Sequence, residues 1–171
     1  MRWFTRQWQD GELSDDEAEA RDPDYRTYIR SVIDRLPEHV RAFAQEMTEH
    51  MSVHDGLLDR ATIDLVNRRI ELVLLNGDLQ VGYGKLRLEF LEADLIEPII
   101  DQLQPLLSNP ETEFIRQEVE LAEGASASLE LRFLLWPEGQ IAIACRDIHV
   151  SWSAIEDRTR SDHRNEVLVL S

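Results

Sequence analysis

Lysine is nearly missing from this chain. Lys85 stands alone, and every other basic residue is arginine. Cysteine is as scarce: Cys145 has no second cysteine to pair with, which excludes an internal disulfide. No apolar run approaches the roughly 20 residues that span a bilayer. The opening Met1-Arg2-Trp3-Phe4-Thr5-Arg6 runs into polar and acidic residues rather than the apolar stretch of a secretory signal. These shortages point to a cytoplasmic protein with no membrane contact. Positive charge is short overall, and the formal net charge is −16. That field repels a phosphate backbone unless a basic patch overcomes it. The nearest approach to a patch is Arg158, Arg160 and Arg164, interrupted by Asp162 and Glu166. No nucleic acid is expected as a partner; a basic protein fits the charge better. The arginine skew matches coding bias in a GC-rich genome, and although arginine forks onto carboxylates, the skew identifies no site.

What the chain does have is alternation. Lys85-Leu86-Arg87-Leu88-Glu89-Phe90 and Ser128-Leu129-Glu130-Leu131-Arg132-Phe133 switch between polar and apolar at every residue. A period of two means a strand with one wet and one buried face, and such strands usually pair antiparallel. Strands are expected near 57–66, 69–75, 82–91, 113–122, 127–135 and 140–152. Asn76-Gly77-Asp78 carries a hairpin signal. Glu123-Gly124-Ala125 and Trp136-Pro137-Glu138-Gly139 carry turn signals. A helix is expected over 97–107. In the last strand Ile141, Ile143 and Cys145 are odd, whereas Ile148, Val150 and Trp152 are even. A strand cannot change its core side without an extra residue, so a bulge or break is expected at Arg146-Asp147.

The first third is helical in pattern. Tyr25, Tyr28, Ile29, Val32, Ile33 and Leu36 follow helical spacing behind Asp22-Pro23, which resembles a capped helix start. Pro37 opens a second helix with Val40, Phe43, Ala44, Met47 and Met51 on its apolar face. Trp3, Phe4 and Trp8 are expected to dock on the body of the domain, the alternative being an exposed anchor for a partner. Residues 9–24 hold eight acids against Arg21 alone. They read as a wet loop or short exposed helix, or as a lure for a cationic partner. The whole is one α+β domain over residues 1–171. N-terminal helices (1–53, with an acidic loop at 9–24) pack on one face of a mainly antiparallel sheet of about six strands (54–156), with one inserted helix. Residues 157–171 form a polar tail with a candidate edge strand.

No complete catalytic or cofactor motif appears, and no cofactor is expected. Glu46, His50 and His54 are spaced by four, so a helix running through residue 54 would align them as zinc ligands. Gly56 argues that the helix ends first, and His-Glu-x-x-His is missing. His54-Asp55-Gly56 reads more readily as a turn, with Gly56 free to take positive φ and His54 able to bury its ring. Asp147, His149, Ser151 and Ser153 share one strand face. They include the residue types of a nucleophilic triad, but residues two apart on a strand lie about 6–7 Å apart. A solvent-facing polar stripe is the simpler reading, although His149 pairing with His54 or Asp55 across the fold would make a polar site of His54, Asp55, Asp147 and His149. Gly82-Tyr83-Gly84-Lys85 is too short for a phosphate loop and enters a strand. Cys145, among Ile143 and Ala144, is a core residue rather than a reactive thiol.

Three short pieces resemble an uncharacterised bacterial domain family of unknown function: Met1-Arg2-Trp3-Phe4-Thr5, Met51-Ser52-Val53-His54-Asp55-Gly56, and Gly139-Gln140-Ile141-Ala142-Ile143 through Asp147-Ile148. The family resemblance implies helices followed by an antiparallel sheet, transfers no catalytic residues, and raises the interest of His54 and Asp55. The chain departs from it in the acidic stretch after Trp8 and in the polar C-terminal extension. The charge and the lack of a catalytic set favour a non-enzymatic protein-binding module, an immunity-like inhibitor of a cationic partner. The alternative is a small metal-dependent or His/Asp-based hydrolase. A homo-oligomer formed through a free sheet edge is a third reading.

Overall fold

The structure, a computed structural model, describes residues 1–36, 38–49, 53–80, 82–94, 98–109, 111–122, 129–161 and 168–170. Among the described residues four α-helices, α1 (Arg6–Gln9), α2 (Asp15–Val32), α3 (Glu38–Glu49) and α4 (Pro98–Ser108), and a 3-10 turn at Ile33–Arg35 accompany eight strands. The strands are β1 (Gly56–Asp64), β2 (Arg69–Asp78), β3 (Gly82–Leu91), β4 (Glu113–Leu121), β5 (Leu129–Trp136), β6 (Gln140–Cys145), β7 (Asp147–Ile155) and β8 (Leu168–Leu170). The α+β class is as expected, with α4 inserted between strand groups. The antiparallel sheet has seven strands rather than about six, in the order β6-β5-β4-β1-β2-β3-β7, and β8 adds to β1 in parallel.

The extra strand has a physical origin. Ile141, Ile143 and Cys145 are buried on odd positions, and Ile148 on an even one. The core side therefore flips at Arg146, where the strand breaks. The two halves become opposite edges of one sheet. For β6 and β7 to be separated by a single residue, the sheet must curl until its edges meet. A right-handed twist accumulated over seven strands supplies that curvature. The join is stitched by Arg146 N donating to Leu91 O (3.1 Å) and Asp94 N donating to Ala144 O (2.8 Å).

The sheet also splits inside. β1 pairs β4 only at Gly56–Phe114 and Leu57–Glu113, while the far end of β1 takes β8. The edge of β4 left open is satisfied by side chains. Val119 N donates to the Tyr25 hydroxyl (2.7 Å) and Leu121 N to the Tyr28 hydroxyl (3.1 Å), while the Gln117 side chain of β4 in turn accepts from Val53 N (3.3 Å). Buried backbone donors need such partners. The tyrosines of α2 are thus both core and glue. One apolar core joins α2, α3 and α4 to the strands, with Phe90, Phe114 and Phe133 fully buried.

Of the two readings of the acidic stretch, wet loop or short exposed helix, the structure has a helix, and it runs on through Asp22-Pro23 instead of stopping there. α2 starts at Asp15, and Pro23 lies inside it. The missed signal is Ser14-x-x-Glu17: the Glu17 carboxylate accepts from Ser14 N (3.1 Å) and Ser14 Oγ (2.6 Å). Those two bonds hold the Glu17 carboxyl below its ordinary value. The hairpin signal is displaced as well. Asn76, Gly77 and Asp78 belong to β2 and pair with Gly84, Tyr83 and Gly82. The chain turns beyond them, where Gln80 N donates to Asp78 Oδ1 (2.7 Å). Pro37 and Glu123-Gly124-Ala125 lie outside the described residues.

Trp3 and Phe4 are buried, as expected of docked aromatics. Glu118, fully buried on β4, accepts from three successive backbone N–H groups: Arg2 (2.8 Å), Trp3 (2.8 Å) and Phe4 (2.7 Å). Arg116 sits over the Phe4 and Trp8 rings, at 5.2 and 5.6 Å from their centroids. Arg6 donates to the carbonyls of Leu135 (2.6 Å) and Pro137 (3.0 Å).

Candidate functional site

His54 and Asp55 close α3 into β1. Asp55, not Gly56, takes the left-handed conformation, at φ 56°. Asp tolerates that region because its short side chain bonds locally. Here its carboxylate lies 2.7 Å from His54 Nδ1, and both side chains are half exposed, so the imidazole is not buried in the turn. Gly56 is required for a different reason. Its N–H donates to Val53 O (2.8 Å), and a Cβ would come within 2.6 Å of that oxygen. The turn-forming role is thus visible in the geometry, with the conformational task moved by one residue.

His149 stands on the exposed face of β7, opposite Glu89 of β3. Its Nδ1 is 3.8 Å from Glu89 and its Nε2 3.8 Å from Asp147. The register then runs through Glu71 to Thr62 of β1. Thr62 is six residues beyond Gly56, so His149 and His54 are separated by three strand spacings and a strand length. That is on the order of 20–25 Å along the sheet. The four candidate residues therefore form two pairs, His54–Asp55 and Asp147–His149, and not one site. Of the metal candidates, His50 and the side chain of Glu46 lie outside the described residues. Among the described residues no group of three His, Cys, Asp or Glu is placed to hold an ion.

The face that carries His149 is a ladder of opposite charges. Glu71 bridges Arg60 (2.8 Å) and Arg87, and Glu89 pairs Arg69. Cross-strand pairs of this kind add a few tenths of a kcal/mol each and fix register. The C-terminal arginines also turn inward. Arg158 donates to Gly77 O (3.1 Å) and to Asp55 O. Ser161 N and Oγ donate to the buried Asp59 carboxylate at 2.6 and 2.9 Å. Arg160 is held below the usual arginine value chiefly by burial, with Arg158 adding repulsion against the pull of Asp59. The tail thus clamps the β1–β2 end instead of presenting a basic patch. Arg164 lies outside the described residues.

The negative excess is concentrated elsewhere. Asp15, Asp16, Glu17, Glu19 and Asp24 are exposed on α2, whose opposite side is anchored by Tyr25 and Ile29. With Asp10, Glu12 and Asp22 against Arg21, this stretch supplies nearly half of the net −16. A second acidic grouping lies on β4–β5, where Arg132 is shared by Glu120 (3.3 Å) and Glu130. Burial pushes the Glu120 carboxyl up against the pull of Arg132, and Glu118 and Glu130 add repulsion. Beside it a cavity of about 430 Å³ opens between β6 and α4. Neither the cavity nor the Glu118 clasp was indicated by any local sequence signal, because each joins segments distant in the chain.

Cys145 is buried on β6, and burial pushes its thiol up to about 12, with Asp147 adding repulsion. The thiolate is the nucleophile, so the native protein at pH 8 should react with iodoacetamide at least about 100-fold more slowly than the urea-unfolded chain. Intact-mass kinetics measure this, and equal rates would contradict the burial.

No described helix is long and apolar enough to cross a membrane. No protein-family model, no curated protein and no solved structure matches the chain.

Proposed function

We propose that this chain is a non-enzymatic protein-binding module that takes a cationic protein as partner, in the manner of an immunity-like inhibitor. The observation that carries the reading is the acid-rich face of α2. Its carboxylates are displayed on an ordered helix tied to the sheet by tyrosine hydroxyls, whereas the acids of the β1–β2–β3–β7 face are spent on arginines. α2 carries six acids against Arg21, Arg26 and Arg30, with Asp22 paired to Arg26 (2.6 Å), and the net negative field of the exposed remainder steers encounter and raises the association rate. The wide separation of the two histidine–aspartate pairs favours binding over the hydrolytic alternative. The comparison with immunity proteins is one of general character. The proposal sets the protein in the cytoplasm, where a lone buried thiol stays reduced.

Affinity capture from native extract at stepped ionic strength tests it. The wild type should retain basic proteins at low salt and release them as salt rises through the range where the Debye length falls to about 8 Å. A variant carrying Asp15→Asn, Asp16→Asn, Glu19→Gln and Asp24→Asn should lose most of that retention while unfolding at the same urea concentration. Retention that ignores both salt and the variant would sink the reading.

A further inference from the structure

The sheet buries apolar residues on both of its faces at one place. Val73 and Leu75 alternate with the core residues Leu72 and Leu74 of β2, so they face away from the main core. They are nonetheless only 2% and 1% exposed. The end of the chain crosses that outer face. Ile155 of β7 lies in one row with Tyr83 of β3 and Gly77 of β2. Beyond it Arg158 donates to the carbonyls of Gly77 and Asp55 and stands 3.6 Å from Glu113. Ser161 then closes on the Asp59 carboxylate. Gly77 follows Leu75 on the same face, and Asp59 lies in the bulge beside Arg60, the partner of Val73. Residues 156–161 thus form a strap over the Val73–Leu75 patch.

The strap is a poor cover for that patch. Glu156-Asp157-Arg158-Thr159-Arg160-Ser161 has no apolar side chain. Arg158 is well met, but Arg160 is not: its Nε and Nη2 are buried and have no hydrogen-bond partner among the described residues. A buried donor without an acceptor costs free energy that water returns when the segment leaves. The ionised side chains around the patch come close to cancelling. Glu71 is shared by Arg60 and Arg87, His54 engages the Asp55 carboxylate, and Lys85 stands opposite Leu75. Asp59 and Glu113 are the carboxylates left to face the strap. Recognition here is therefore by placed acceptors rather than by a field: the Gly77 and Asp55 carbonyls with Glu113 beside them form a seat for one arginine.

We propose that residues 156–161 are a releasable strap, holding in cis a groove on the outer face whose other occupant is an extended, arginine-bearing segment of a cationic protein. The incoming arginine takes the Gly77 and Asp55 carbonyls from Arg158. Two residues on, in the place of Arg160, the segment carries an apolar side chain, which the Val73–Leu75 patch receives better than a guanidinium. The strap sets a threshold. A segment tethered in cis is at high effective concentration, so only one that binds better displaces it. The proposal rests on the reading of the chain as a binder of a cationic protein and assigns that protein a second contact.

Native-state hydrogen exchange of the full chain tests release. The Ser161 amide, bonded to Asp59, should exchange at least about 100-fold faster than the Leu72 amide of the sheet, at a rate that low urea leaves unchanged. One shared, urea-dependent rate would mean that the strap opens only with the whole domain, and would overturn the proposal. Titration of the isotope-labelled chain tests the groove. The probes are capped pentapeptides: Asp-Arg-Thr-Leu-Ser, the strap's own Asp-Arg-Thr-Arg-Ser, and Asp-Ala-Thr-Leu-Ser. At about 1 mM the first should shift the Asp55, Asp59, Gly77 and Ser161 amides, the second should bind about tenfold more weakly, and the third should shift them little. Arg158→Ala, which frees the carbonyls, should tighten the first peptide about tenfold. Should that variant fail to fold, Ser161 exchange in the wild type, sped by the first peptide and not by the third, asks the same question. Equal shifts from the arginine and alanine peptides, no tightening in the variant, or shifts confined to α2 would overturn the proposal. A silent groove beside intact salt-dependent capture would overturn this proposal alone, whereas lost capture would overturn the reading it rests on.

Discussion

Glu118→Ala should cost the fold about 4 kcal/mol, read as a lower urea midpoint at unchanged slope. The Glu118 carboxylate is fully buried and accepts from Arg2, Trp3 and Phe4 N–H at 2.7–2.8 Å. Alanine leaves those donors without a partner, each at about 1–3 kcal/mol where water cannot replace it. The loss spreads, because the same bonds seat Trp3 and Phe4 against Tyr25, with ring centroids 5.2 and 5.6 Å away. Glu118→Gln should cost about half as much: its one carbonyl can serve Trp3 and Phe4, while its amide group opposes the Arg2 donor. A loss below about 1 kcal/mol for the alanine variant would show that the N-terminal segment is not held this way.

Gly77→Ala should be nearly as damaging, at about 3 kcal/mol. Gly77 has φ 94°, and a Cβ there would lie 2.0 Å from the carbonyl oxygen of Gly82, a backbone atom fixed by the β2–β3 ladder. Both the conformation and the space exclude a side chain. Gly84 makes the internal control. A Cβ at Gly84 would lie 2.1 Å from Trp152 Nε1, but Trp152 is 58% exposed and can swing into solvent. Gly84→Ala should therefore cost no more than about 1 kcal/mol. Thermal or urea unfolding of the two variants side by side decides the matter. Equal losses would mean that the hairpin end yields as readily as an exposed tryptophan.

These two positions also mark what the sequence could and could not disclose. Alternation located β3 and β5 nearly to the residue, because period two is a local property. The parity change between Cys145 and Ile148 disclosed the break at Arg146, for the same reason. It did not disclose that the two halves lie at opposite edges, since that depends on curvature accumulated over all seven strands. The start of α2 was misplaced because Asp22-Pro23 resembled a cap, although Ser14 and Glu17 carried the operative one. Asn76-Gly77-Asp78 resembled a turn because glycine serves both turns and close backbone approach, and local sequence does not distinguish the two. For the candidate site, the Asp147–His149 stripe and the His54–Asp55 turn were legible individually. Their separation along the sheet needed the strand order. The Glu118 clasp spans more than a hundred residues and leaves no periodic trace.

The central claim is that the acids of α2 meet a cationic protein. Zero-length carbodiimide coupling in native extract, with linked residues identified by mass spectrometry, tests this most directly. Coupling joins a carboxylate to an amine, and with Lys85 as the only lysine this chain offers few internal amines to compete. The account predicts bonds from Asp15, Asp16, Glu19 and Asp24 to lysines of another protein, fading as salt is raised. Coupling spread evenly over the exposed carboxylates, or none to a second protein at low salt, would contradict it.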